Sequence, residues 1–134
     1  YCGEVIKLSA TTSLTTSKIY YMATNGTWTL AQADNASDVG PGILLGVAVG
    51  ASSHANGMLT RGIMRIDNSV GAMTGTPTAG SPLFLCETTA GNFNIAAPGS
   101  SSEVVRVVGH VLKVDGSSNI LIHFNPSNDW IVRA

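Results

Sequence analysis

One short stretch of this chain occurs twice. "IYYMATNGTWTLA" (Ile19–Ala31) and "LFLCETTAGNFNIAA" (Leu83–Ala97) share one order of residue types: an aliphatic and aromatic run, a small polar turn, then a second run led by an aromatic. The likeness extends in both directions. "GEVIKL" (Gly3–Leu8) aligns with "GIMRID" (Gly62–Asp67), and "LTTSKIYYM" (Leu14–Met22) with "PTAGSPLFLC" (Pro77–Cys86) across one gap. "ILLGVAVG" (Ile43–Gly50) aligns with "RVVGHVLK" (Arg106–Lys113), and "GMLTRG" (Gly57–Gly62) with "NILIHF" (Asn119–Phe124). Trp28 falls on Phe93, Leu30 on Ile95 and Gly46 on Gly109, with an offset running from 59 (Gly3 to Gly62) to 65 (Trp28 to Phe93). Two copies are too few for a solenoid, which needs about three or more. A unit of about 60 residues is also marginal alone. The expectation is one domain, 1–134, built from a doubled β-unit. Its halves, 3–61 and 62–124, pack together, and 125–134 form a C-terminal tail.

Short runs of β-branched, aromatic and aliphatic residues predict strands at Val5–Leu8, Ile19–Ala23, Trp28–Ala31, Ile43–Val49 and Met58–Ile66. The second half supplies Leu83–Glu87, Phe93–Ala96, Val104–Val114 and Asn119–Phe124. Turn chemistry separates them at "TNGT", "SSHANG", "TTAGN", "PGSSS" and "DGSSN". No window sustains a 3.6-residue apolar period, and "AQADNASD" (Ala31–Asp38) has room for one helical turn at most. The fold class that follows is all-β, a compact barrel or sandwich.

Composition narrows the function. Only 11% of residues are charged, against roughly 25% in an average soluble domain. Seven basic and eight acidic residues are scattered singly, for a net charge of −1. Without a Lys/Arg cluster the chain lacks the electrostatic footprint of nucleic-acid binding, and equally that of an anionic membrane surface. The most hydrophobic run, Gly42–Ala51, is far too short to span roughly 30 Å of hydrocarbon. The opening "YCGEV" has neither an initiating Met nor the look of a signal peptide, and suggests a processed product or a part of a longer protein. Cys2 and Cys86 are too few for a disulfide scaffold, and Cys86, in a predicted strand, reads as a buried free thiol.

Enzyme signatures are missing: no nucleophile elbow, phosphate loop, H-E-x-x-H or C-x-x-C. No catalytic residue and no cofactor are expected. The closest approach to a site is a pair of histidines. With "DGSS" (Asp115–Ser118) as a four-residue hairpin loop, Val114 faces Asn119 and His110 lies opposite His123. Opposed residues bring their Cβ atoms to roughly 4.5–5.5 Å, compatible with a shared metal, a pH-sensitive repulsion, or a neutral packing pair. No third ligand lies nearby in sequence, and His54 sits in a Gly/Ser loop. The same register places Val108, Leu112 and Leu121 on the histidine side and Val111, Ile120, Ile122 and Phe124 on the other. A strand apolar on both faces is covered on both, by the core and by a subunit partner. Trp28 and Phe93 open matched strands and read as core rather than as sugar platforms. Trp130 either caps the core or anchors onto a neighbouring subunit. Leu112, Leu121 and Trp130 are therefore the candidate subunit contacts. Asn25-Gly-Thr27 and Asn35-Ala-Ser37 match the glycosylation triplet.

The succession "IYYMATNGTWTLAQADNAS", "LLGVAVG", "GMLTRGIMRID", "TAGSPLFLCETTAGNFNIAAPGSS", "VVRVVGHVL" and "HFNPSNDWIVRA" resembles a C-terminal module of tailed-phage structural proteins, particularly those of cyanophages and marine phages. The resemblance runs from about Gly3 to Ala134, and "TAGSPLFL", "VVRVVGHVL" and "FNPSNDW" carry most of it. More distantly, the chain is similar to small β-barrel or β-tulip head-decoration proteins. The resemblance implies a non-enzymatic virion component at the particle surface, decorating or cementing the capsid, often as a homotrimer on the major capsid protein. It also allows the terminal knob of a fibre or appendage that recognises a host glycan or protein. A third reading is an extracellular filament subunit built by strand donation. The family brings no catalytic residues. Decoration proteins normally begin with their own Met and often an ordered arm, and "YCGEV" offers neither.

Overall fold

Two long strands form the spine of the computed structural model, which describes residues 1–34, 36–40, 42–116 and 118–134. These are β5 (Met58–Asp67) and β9 (Val104–Asp115), with β10 (Asn119–Phe124) paired antiparallel to both. The other strands are short: β1 (Cys2–Ile6), β2 (Ile19–Met22), β3 (Trp28–Leu30), β4 (Leu45–Ala48), β6 (Met73–Thr74), β7 (Pro82–Leu85), β8 (Phe93–Asn94) and β11 (Trp130–Val132). Helix is confined to one turn, α1 (Ala36–Val39), and a 3-10 turn at Asn68–Val70. The protein is all-β, a single mixed sheet curled into a half-barrel. Its order is β3-β2-β4-β5-β10-β9-β7-β8-β6, with β1 added on β5 and β11 on β9. The one parallel pairing among the described residues joins β6 to β8.

Read outward from the β5–β10 seam, the sheet is nearly palindromic: β4, β2, β3 on one side and β9, β7, β8 on the other. The proposed boundary at 61/62 falls inside β5, so the halves share a strand. Gly3 pairs with Gly62, and Gly62 in turn pairs with Phe124. The sequence alignment maps the first of these pairs onto the second.

The alignment does not hold at the wing hairpins. Trp28 pairs with Met22, and both belong to an outer cluster with Leu14, Tyr20, Ala48, Met58 and Ile6. Phe93 pairs with Leu85, and both lie in the main core. Ile19 and Tyr20, adjacent on β2, divide between the two clusters, so these occupy opposite faces of the sheet. Trp28 and Phe93 are therefore not structural equivalents. With a side-chain period of 2, a one-residue slip moves a side chain to the other face.

The concave side holds the main core, including Ile66, Leu83, Leu85, Phe93, Val108, Ile122 and Phe124. Phe93 meets Phe124 edge to face at 6.2 Å and 87°, a geometry favoured by the ring quadrupoles. The outer cluster is covered by the segment that follows β1. Leu14 packs into it, Leu8 O accepts from Trp28 Nε1 (3.2 Å), and Thr11 Oγ1 accepts from Trp28 N (3.1 Å). The two wings are tied across the open side of the curl by backbone bonds. Ile19 N donates to Gly91 O (2.9 Å), Gly91 N to Ala31 O (2.7 Å), Ala33 N to Cys86 O (3.1 Å) and Val104 N to Ala33 O (2.7 Å). Lys18 Nζ adds bonds to Gly71 O (3.1 Å) and Asn92 Oδ1. These bonds satisfy sheet edges that would otherwise stay unpaired.

Two irregularities in β9 decide which side chains face out. Leu83 pairs with Gly109 and Phe84 with Val107, which leaves Val108 as a bulge. Its side chain turns into the core with 0% exposure, so Val108 does not lie on the histidine side as the unbroken alternation suggested. A second bulge falls at Leu112, between the Val111–Ile122 and Lys113–Leu121 pairs.

Candidate functional site

The convex face of the central strands carries a row that the described chain leaves partly open. In an antiparallel ladder, directly paired residues share a face. The pairs Cys2–Ile63, Ile63–His123, His123–His110 and His110–Pro82 therefore align five side chains across β1, β5, β10, β9 and β7. The adjacent row, with Phe124 and Leu83 fully buried, points the other way. Next on the convex side come Arg65, Leu121 and Lys113, then Asp67, Asn119 and Asp115. Ile63 is 39% exposed and the bulged Leu112 44%. Leu121 and His123 are half-buried and His110 is exposed. Apolar side chains thus form a band edged by both signs of charge. Beside Leu121 lies a cleft of about 300 Å³ lined by Arg65, Lys113, Asp115 and Asn119. The Lys113–Asp115 ion pair there (3.4 Å) is solvent-exposed and contributes little to stability.

His110 and His123 do face each other, but by another route than the four-residue loop. Asn119 pairs with Asp115, one residue later than expected, and the Leu112 bulge shifts the register back by one. The two differences cancel. Their neighbours in the row, Ile63 and Pro82, carry no ligand atoms. Among the described residues no group of three His, Cys, Asp or Glu side chains could hold a metal. The arrangement presents two imidazoles on an otherwise apolar row.

Trp130 packs half-buried against the main core, with Trp130 opposite Arg106 in the β9–β11 ladder. The contact it makes within the chain is with the main core. The exposed residues of that strand are Ile131 (61%) and Val132 (42%). Trp28 and Phe93 are buried, so neither offers a ring face to a sugar. Asn25 is exposed in the β2–β3 loop, where its Oδ1 accepts from the Thr27 backbone and hydroxyl (3.2 and 2.7 Å). Asn35, of the second triplet, lies outside the described residues. His54 is exposed in its loop.

Three features went unread in the sequence. A polar cleft of about 430 Å³ is lined by Tyr21, Thr29, Leu30, Gln32, Asp34 and Asp38. Burial and then the Asp38 carboxylate, which accepts from the Tyr21 hydroxyl, raise the Tyr21 pKa above its ordinary value. Cys86 is buried as anticipated, but its thiol is polar in its contacts, bonding the hydroxyls of Thr88 (3.4 Å) and Thr74 (3.6 Å). Burial pushes that thiol up, and the bonds from Thr88, Thr74 and the Thr88 and Thr89 backbone outweigh it, leaving the pKa below the usual thiol range. Arg106 is only 4% exposed. The signal was present in "VVRVVGHV", where an Arg occupies a core position of a valine-rich strand.

No helix among the described residues is long and apolar enough to cross a membrane. No family model, no curated protein and no solved structure matches this chain.

Proposed function

We propose that this chain is a non-enzymatic virion building block, decorating or cementing a phage capsid through self-association and contact with the shell. The observation that carries the reading is the partly open convex band of Ile63, Leu112, Leu121 and Pro82. Exposed apolar side chains gathered on one face mark a surface suited to a partner. The low charge supports it further, because neutral surfaces pack against copies of themselves without like-charge repulsion. The likeness to tailed-phage modules supplies the partner class, the major capsid protein, and the particle surface as the location. A homotrimer is the favoured assembly.

The test is addition of purified chain to phage capsids that lack it. Saturable binding at a fixed ratio to the capsid protein, seen as added density on the shell, is the expected result. Failure to bind expanded and unexpanded capsids alike would overturn the reading.

The polar cleft around Tyr21, Gln32, Asp34 and Asp38 favours a second reading, a receptor-binding knob that takes a host glycan. Hydroxyl, amide and carboxylate groups beside an aromatic ring are what a sugar needs. Glycan-array binding lost on Gln32→Ala would move the assignment there.

A further inference from the structure

Among the described residues the charge of Arg106 has no counter-charge. Its guanidinium is buried, yet Nε donates to Ser127 O (2.7 Å) and Nη1 to Val39 O and Gly40 O (both 3.1 Å). All three acceptors are backbone carbonyls, and two of them are consecutive at and just past the C-terminal end of α1, where Gly40 O also accepts from Ile43 N (3.3 Å). Among the described residues Arg106 makes no ion pair, and Nη2 donates to nothing. A guanidinium stays protonated in proteins, and a buried charge without a partner of opposite sign is costly. Carbonyl dipoles offset part of that cost and leave the net charge in place.

Arg106 lines a cleft of about 250 Å³ between the start of β4 and the segment linking β10 to β11. Arg61, from the middle of β5, lines the same cleft, with Thr60 and Asn128 contributing neutral hydrogen-bonding groups and Gly42 to Leu45 forming the opposite wall. Among the described residues no carboxylate lines it. The nearest in register is Glu4, exposed and paired with Arg61 across the β1–β5 ladder. The cleft therefore combines a buried cation, a second and exposed cation, and neutral polar groups around a space of small-molecule size.

We infer that this cleft is an oxyanion site, in which a phosphate, sulfate or carboxylate group bonds Arg106 Nη2 and is closed over by Arg61. Charge-assisted bonds from two guanidinium groups suit an oxyanion, and chloride lacks the several acceptors needed to reach both. Arg106 is fixed by its carbonyl partners, whereas Arg61 swings in from the rim. Arg61 stands two residues before Ile63 on β5, so the site borders the convex band, but it does not depend on that band being an interface.

The experiment is a titration of the intact chain with inorganic phosphate against chloride at constant ionic strength, read by unfolding temperature and by backbone amide shifts of Leu44, Leu45 and Asn128. Phosphate at saturation is expected to raise the midpoint by about 2 °C or more over chloride. Arg61→Gln, at an exposed position, is expected to weaken the apparent affinity about tenfold, the loss of one charge-assisted bond. Arg65→Gln, on the convex face, leaves it unchanged. Equal responses to phosphate and chloride would overturn the inference. So would an Arg65→Gln effect as large as that of Arg61→Gln, which would mark general screening of positive charge.

Discussion

At the residue scale, Gly46 and Gly109 occupy matching places in the sequence and do different work. A Cβ on Gly46 would meet Met58 Cβ at 3.1 Å and the Trp28 ring at 3.2 Å, because both side chains pack against this strand. A Cβ on Gly109 would meet the carbonyl oxygen of His123 at 2.3 Å, backbone that only a shift of β10 could clear. Gly46→Ala is accordingly expected to destabilise by about 1–3 kcal/mol, the range for an overpacked core. Gly109→Ala is expected to cost more, and urea midpoints of the two variants check the order. Asp67 gives a prediction in pH. Its carboxylate accepts from the Ser69 hydroxyl and from Ser69 N (2.9 Å), which holds its pKa below the usual range. A depressed folded pKa stabilises above the unfolded value of about 3.9 and loses that contribution as pH falls through the folded one. Asp67→Asn should therefore lower stability at pH 7 and flatten the acid limb of the pH–stability curve. Trp28 and Phe93 were legible as core because aromatics opening short strands have few other uses. Arg106 stood out as a charge in a valine-rich strand, but its acceptors did not, since one of them lies 67 residues away.

At the element scale, sequence periodicity located the longer strands and misplaced one side chain of the last hairpin, Val108. The bounds of β10 match the reading and β9 extends one residue past it, because long β-branched runs closed by Gly and Ser leave little choice. The alternation inside β9 was not legible. Its bulges at Val108 and Leu112 arise from pairing with β7 and β10, and a single strand carries no record of its neighbours. β6 and β11 were missed for a related reason: two or three residues give no period to read. The C-terminal segment, taken for a tail, is an added strand with Trp130 on the main core. Trp130→Ala is expected to lower stability by about 2 kcal/mol, short of the loss for a fully buried Trp. Sedimentation of that variant should match the wild type, because the indole packs on the main core of its own chain. A variant that dissociates at unchanged stability would return Trp130 to an interface.

At the scale of the whole molecule, the chain makes one curled sheet and covers its convex face unevenly. The segment after β1 shields the side that holds Tyr20, Trp28 and Met58, and the central rows stay partly open. Fold class and the opposed histidines were visible in the sequence; which rows would lack full cover was not, since that depends on where the connecting segments lie. The strand order is nearly palindromic, and Trp28 and Phe93 nonetheless lie on opposite faces of the sheet. The account rests on the partly open face being where copies meet, and sedimentation equilibrium on the wild-type chain and on Leu121→Glu tests this directly. A wild-type mass of three chains, reduced to one chain in a Leu121→Glu variant with an unchanged far-ultraviolet spectrum, is the predicted result. A wild-type mass of one chain at every concentration, or a Leu121→Glu variant that still assembles, would contradict it.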